Sequence, residues 1–283
     1  MPRHWRWVVP YLFLIPGGLW LLAFFVVPML VMASVSLQEG SLSTGYTLTW
    51  NWGVYPEMLQ RWAPQFVRSL WYALVVTALT LAIGYPVAYT IAFRGGRYKS
   101  ILLLLVILPF FTAYIIRTLA WKLILADNGF VLGSMKDWGL LADGFRVIAT
   151  PVAVISGLTY NFLPFMILPL YVALEKIDPK LVEAATDLYA SRAQAFLRVT
   201  LPLSIPGVFA GSLLTFIPAI GDFINSEILG SRDTTMIGQV IQRLFLNNNA
   251  YPEAAALGFM LMAGIMALIV VYARAVGSDA LTR

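Results

Sequence analysis

The chain has 283 residues, 60 % of them hydrophobic and 12 % charged, where a soluble domain carries about 45–50 % and about 25 %. That much apolar surface excludes a water-soluble body; the net charge of +5, set in short basic patches between long uncharged runs, fits membrane topology rather than nucleic-acid binding. The absence of cysteine excludes disulfides, iron–sulfur clusters and thiolate catalysis, and a single histidine, His4, leaves little for an imidazole metal site.

A membrane-spanning helix needs about 20 apolar residues, and six stretches qualify. The first is Val8–Leu37, behind Arg3 and Arg6; it is far longer than the roughly 7–15 apolar residues of a signal peptide and is expected to be a retained span. The second is Ser69–Phe93, bounded by Arg68 and Arg94, and the third runs from Ser100 to Ile116 or a turn beyond. Val147–Leu174, Pro206–Gly221 and Ala254–Ala273 follow. Gly84, Pro86, Pro109, Pro164, Pro169 and Pro218 lie inside these runs, where neighbouring helices and water re-satisfy the freed backbone groups, or where kinks open a central cavity.

Orientation follows from Lys and Arg. With the N-terminus inside, segments 1–7, 94–99, 175–205 and 274–283 hold 11 basic residues in 54 positions, against 8 in the 92 positions of 39–68, 117–146 and 222–253. Both termini are therefore expected in the cytoplasm. Trp50, Trp52, Trp62, Trp121 and Trp138 fall in or beside the outer segments, as rings anchored at headgroup level do.

The inner loop 175–205 is the most informative segment. Asp178-Pro179 starts a helix, because the aspartate accepts from free N–H groups and proline tolerates the first helical position. Leu181, Ala184, Ala185 and Leu188 then recur at i, i+3, i+4, i+7, with Lys180, Glu183 and Asp187 off that stripe. Ser191-Arg192-Ala193-Gln194 has the form of a capping box, so a second helix begins there; it carries Phe196 and Val199 and is expected to end at Leu201-Pro202. Such a pair also suits the membrane surface, but a lipid-facing stripe wants Leu, Phe or Trp, whereas Ala184 and Ala185 admit the close approach of another protein.

Glu183-Ala184-Ala185-Thr186-Asp187-Leu188-Tyr189-Ala190, followed by Phe196, Val199, Leu201-Pro202-Leu203 and Pro206-Gly207, resembles the EAA loop of binding-protein-dependent ABC importer permeases. The resemblance implies an all-α membrane protein of six transmembrane helices with the type I importer permease (MetI-like) fold. Its permease domain would cover 69–273, with coupling loop 175–205, after an N-terminal tail, first span and outer loop over 1–68 and before a cytoplasmic tail over 274–283. It also implies that Glu183, Ala184, Ala185, Asp187, Leu188, Tyr189 and Ala190 form a coupling element seated on an ATPase subunit. In one respect the chain departs from the family, which usually has glycine where Tyr189 stands. A left-handed turn there costs a non-glycine residue about 1 kcal/mol or more, so either the turn is of another type or the tyrosine makes a contact of its own.

Three further segments resemble the polyamine branch, the spermidine/putrescine permeases of the PotB and PotH type: Ile116-Arg117-Thr118-Leu119-Ala120-Trp121, Ile217-Pro218-Ala219-Ile220-Gly221-Asp222-Phe223, and Met236-Ile237-Gly238-Gln239 with Phe245-Leu246-Asn247-Asn248. A carboxylate near the path lowers the cost of bringing an oligoamine out of water, which makes Asp222 and Glu227 path candidates together with Phe223, Tyr160 and Asn161. The plainer reading of Asp222 and Glu227 is that they mark a helix end at the wet interface. Arg117 and Lys122 are expected to snorkel to headgroups or to pair with Asp127.

These features combine into a permease subunit of an ATP-driven importer for a small organic cation, with putrescine or spermidine expected and an amino-acid-like solute as the alternative. No G-x-x-x-x-G-K-[ST] loop occurs, so ATP and Mg belong on partner ATPase subunits and the chain itself is expected to bind no cofactor and to be no enzyme. The remaining expected partners are a second homologous permease chain, an extracytoplasmic binding protein and inner-membrane lipid. An ion-coupled secondary transporter is the rival class; its inverted repeats and midplane ionisable residues are not visible in the sequence.

Overall fold

A computed structural model covers residues 5–142 and 144–276, with the side chains of 13–142 and 144–274. Arg3, His4 and most of the expected C-terminal tail lie outside the described residues. Among the described residues five helices are long and apolar enough to span a membrane, and the number is six if a sharply bent pair counts as one span. The first span is α1 (Trp5–Leu21), a π-turn at Leu22–Val26, and α2 (Val27–Ser36). The wider turn sits just before Pro28, where a ring and a missing N–H disturb the regular ladder. An antiparallel hairpin follows, β1 (Gln38–Ser41) with β2 (Gly45–Leu48), which the all-α expectation did not contain.

The second span, α3 (Val54–Arg94), begins at Val54 rather than Ser69. Glu57 in its first turn suits the helix N-terminus, and residues 54–68 of the segment expected as outer loop are helical. The third span departs most from expectation. A 3₁₀ turn (Gly96–Tyr98), α4 (Lys99–Ile107) and a second 3₁₀ turn (Leu108–Phe111) end at two extended residues, Thr112 and Ala113, with ψ near 137° and 139°. The chain then turns by 93° into α5 (Tyr114–Ile124). Pro109 accounts for the break: it cannot donate to the ladder, and the tightened turn closes with Thr112 N–H donating to Pro109 O at 3.2 Å.

After α6 (Phe130–Asp137), α7 (Pro151–Glu175) starts at Thr150, whose hydroxyl accepts from Ala153 N–H, with proline at the first helical position. α8 (Pro179–Asp187) and α9 (Arg192–Ala195) are the two loop helices. The second does not stop at Leu201-Pro202. It passes through a π-turn, Phe196–Thr200, directly into α10 (Leu201–Ile220), so that Arg192–Ile220 is one apolar run. The wider turn, closed by Leu201 N–H on Phe196 O, accommodates the Pro202 ring that would clash with a regular i−4 carbonyl. α11 (Ile224–Leu229), α12 (Ile237–Leu246) and α13 (Tyr251–Val276) complete the chain.

The chain divides into two compact units, 1–63 with 241–263, and 64–240 with 264–283. In the first, Tyr46 of β2 stacks at a tilt on Tyr251, which meets Phe245 edge-on, and its hydroxyl donates to Asn249 O. The core of the second lies between α3 and α7: Ala88 and Ala92 with Met166, Ile167, Leu170 and Leu174. There α10 packs on α7 through Gly207-x-x-x-Gly211. A Cβ at Gly207 would stand 2.9 Å from Pro169 O, and one at Gly211 3.1 Å from Met166 O, so only glycine permits this backbone approach. In lipid, where apolar side chains gain nothing by leaving their surroundings, such close contact is what joins helices.

Candidate functional sites

The charged loop folds as its capping signals require. Asp178 Oδ1 accepts from Lys180 N–H at 3.0 Å. Ser191 N–H donates to Gln194 Oε1 at 2.8 Å while Gln194 N–H donates to Ser191 Oγ at 3.3 Å, a reciprocal capping box. Between them α8 closes in a Schellman turn: Ala190 N–H donates to Ala185 O at 3.1 Å and Tyr189 N–H to Thr186 O at 3.0 Å. The residue that must be left-handed in this motif is Tyr189, with φ 63°. The turn is thus the left-handed kind that favours glycine, and Tyr189 is 99 % exposed, so among the described residues nothing covers the tyrosine ring.

The loop is anchored at one side and open at the other. Phe196 meets Tyr85 and Tyr89 of α3 edge-on at 5.7 and 6.0 Å, and Lys99 pairs with Glu175 at 2.9 Å where α7 ends. Glu183, Ala184, Asp187, Leu188 and Tyr189 are all exposed, and Ala185 and Ala190 half-buried. The apolar stripe of Leu181, Ala184 and Leu188 is thus left exposed by the described residues.

The second site is a buried polar bridge where two helix breaks meet α7. Asp222 lies in the short link between α10 and α11, and Tyr114 is the first residue of α5 after the 93° turn. Tyr114 OH donates to Asp222 Oδ2 at 2.6 Å; Asn225 of α11 donates its N–H to Asp222 Oδ1 at 2.8 Å and its amide to Tyr114 Oη at 2.6 Å. Asn161 of α7 donates to Asn225 Oδ1 and Thr118 Oγ1, each at 3.2 Å. Gly157, one turn before Asn161, makes room, since a Cβ there would stand 2.8 Å from Asn225 Oδ1. Asn161, Thr118 and Asn225 are fully buried and Asp222 nearly so. Asp222 therefore does not mark a wet helix end; it is a buried acceptor of hydrogen bonds from Tyr114 and Asn225.

The remaining path candidates are placed differently. Tyr160 is partly exposed and meets Trp121 edge-on at 5.4 Å; Phe223 is exposed beside Asp222. Glu227 is exposed and accepts from Gln239 Nε2, whose Oε1 in turn accepts from Ser226 Oγ at 2.7 Å. Arg117 neither snorkels nor pairs with Asp127, which takes Arg146 at 3.0 Å. It is buried, 7 % exposed, with its guanidinium 4.7 Å from the Phe110 ring centre and 5.5 Å from that of Tyr114. Tyr114, Thr118 and Asn225 carried no signal among the sequence candidates; the one available was polarity inside an apolar run, three residues from Asp222 in the case of Asn225.

Comparison with known proteins agrees with this architecture. The family model "Binding-protein-dependent transport system inner membrane component" matches residues 82–281. The spermidine/putrescine transport system permease protein PotB of Haemophilus influenzae is 38 % identical over 260 residues, covering 90 % of each chain, and PotB of Escherichia coli K12 is 35 % identical over 257, covering 90 % of this chain and 94 % of that one. Among solved structures, a bacterial ABC transporter for the acidic polysaccharide alginate superposes with a TM-score of 0.73 at 21 % identity over 98 % of this chain and 97 % of that one. The MetNI methionine ABC transporter gives 0.59 at 20 % identity over 80 % and 99 %; both likenesses concern the fold. The chain is a multi-pass inner-membrane protein belonging to the family of binding-protein-dependent transport system inner membrane components.

Proposed function

We propose that the chain is the permease subunit of an ATP-driven importer and that, with a second permease chain, it forms the translocation path for a small organic cation of the polyamine class. The observation that supports this reading is the uncovered loop: a capped helix whose stripe of small and apolar residues is exposed, followed by Phe196 packed on Tyr85 and Tyr89 of α3. The partner is a cytoplasmic ATPase subunit, seated on Glu183, Ala184, Ala185, Asp187, Leu188, Tyr189 and Ala190, which places both termini in the cytoplasm. ATP and Mg are held by that subunit. A periplasmic binding protein delivers the solute, as the solved alginate importer's complex with its periplasmic protein illustrates for that transporter. The solute class rests on the names of the PotB relatives.

Within the path, exposed Tyr160 and Phe223 are the surfaces open to an ammonium group, while Asp222 and Asn161 hold the breaks in place around it and Glu227 stands at the rim. The test is purification of tagged protein with its ATPase and uptake of labelled spermidine by the reconstituted complex. Glu183→Lys, on an exposed residue, is expected to abolish uptake and weaken ATPase association while leaving insertion intact. Uptake that survives ATP depletion with an ion gradient present would falsify the importer reading.

A further inference from the structure

Arg117 poses a problem that the proposed role does not use. It is a permanent cation, buried against α5 and its neighbours, and among the described residues its Nε and Nη1 hydrogens meet no acceptor. A guanidinium buried away from water is normally paired with a carboxylate. Here the charge is met instead by rings: the guanidinium lies within cation–π range of both Phe110 and Tyr114.

Those two rings belong to a larger group. Phe110 meets Phe165 edge-on at 5.1 Å, Phe165 lies 6.1 Å from Phe162, and Phe162 lies 6.2 Å from Tyr114, so four rings from both sides of the helix break and from α7 form a continuous aromatic wall. Phe110, Tyr114 and Phe165 are only half-buried, and Tyr114 is hydrogen-bonded to the Asp222 carboxyl. Aromatic faces backed by a carboxylate make a receptor for an organic ammonium ion.

We infer that the rings of Phe110 and Tyr114 form a substrate-cation subsite that Arg117 occupies as a resident surrogate, displaced when an oligoamine ammonium arrives. The inference rests on the polyamine reading above and deepens it. Its consequence is a self-filled resting state: the subsite is closed by the chain's own cation, and an incoming ammonium must compete for the same ring faces. A weakly held resident also suits transport, because it returns to the rings as the substrate leaves.

The test uses the complete importer, with its ATPases and second permease chain, in lipid nanodiscs, and spermidine as the probe. Arginine-directed labelling with phenylglyoxal, read by peptide mass spectrometry on the unaltered protein, is expected to reach Arg117 several-fold faster when spermidine is bound. Arg117→Met removes the competitor and is expected to tighten spermidine about tenfold, whereas Arg117→Lys keeps a cation on the rings and stays within about threefold. Labelling that spermidine leaves unchanged or slows overturns the inference, as a fixed carboxylate from the second permease chain would produce, and so does an Arg117→Met complex with unaltered affinity. Should the unaltered complex take up spermidine while giving those results, only the resident-cation inference falls. If it neither binds nor imports spermidine, the polyamine reading falls with it.

Discussion

The loop around α8 and α9 and the polar bridge around Asp222 are both built from helix ends, yet they solve the same problem in opposite ways. In the loop, orphan N–H and C=O groups are satisfied by residues two to five positions away: Asp178 for Lys180, Ser191 and Gln194 for each other, Ala185 for Ala190. In the bridge, side-chain groups at two helix breaks are satisfied across the fold, with Tyr114, Asn161 and Asp222 brought together by Asn225, whose own backbone N–H is met locally by Asp222. Local closure needs no partner from elsewhere in the fold. Long-range closure couples the two breaks to the packing of α5, α7 and α11.

That contrast is open to test, beginning where the largest effect is expected. Asn225→Leu removes the amide that donates to Tyr114 Oη and, at 3.3 Å, to Asp222 Oδ1, and removes the acceptor for Asn161, while the Asn225 N–H bond to Asp222 stays. The loss is about 1–3 kcal/mol of stability for each buried group left unpaired, read as a fall in unfolding temperature in detergent or as failure to accumulate in the membrane. An Asn225→Leu protein with unchanged stability would show that the bridge is not what holds the breaks. Ser191→Ala deletes one half of the capping box and is expected to cost about 1 kcal/mol, confined to the loop; hydrogen exchange should speed up over 192–195 and not in α5 or α11. Smallest of all is Tyr189→Gly. Relief of the left-handed backbone, about 1 kcal/mol, is offset by glycine's greater freedom in the unfolded chain, so stability should move by less than about 1 kcal/mol. A clear loss on that substitution would mean that the tyrosine ring has a contact within the folded chain after all.

The legibility of the two regions differs for the same reason. Asp178, Ser191 and Gln194 announce their helix ends because a cap and the groups it satisfies are neighbours in sequence, and the apolar stripe of α8 is a periodicity that any nine residues can display. Charge-free runs located the spans in the same way. Besides the start of α3, the boundaries that the sequence misplaced lie at proline: the third span breaks after Pro109, while α10 continues through Pro202 by way of a π-turn. Proline removes a donor in either case, and whether the helix breaks or widens depends on what packs beside it.

By itself, then, the sequence determined that this is a membrane protein of about six spans with a self-capped amphipathic loop, because hydrophobic length and capping are local properties. Only the tertiary structure decided the site. It left Tyr189 left-handed and bare, turned Asp222 from a presumed interface marker into the centre of a buried bridge, and set Arg117 against rings rather than against Asp127. Each of those outcomes is a choice of partner for a polar group removed from water. Such a choice belongs to whichever groups the packed helices bring within about 3 Å, not to those adjacent along the chain.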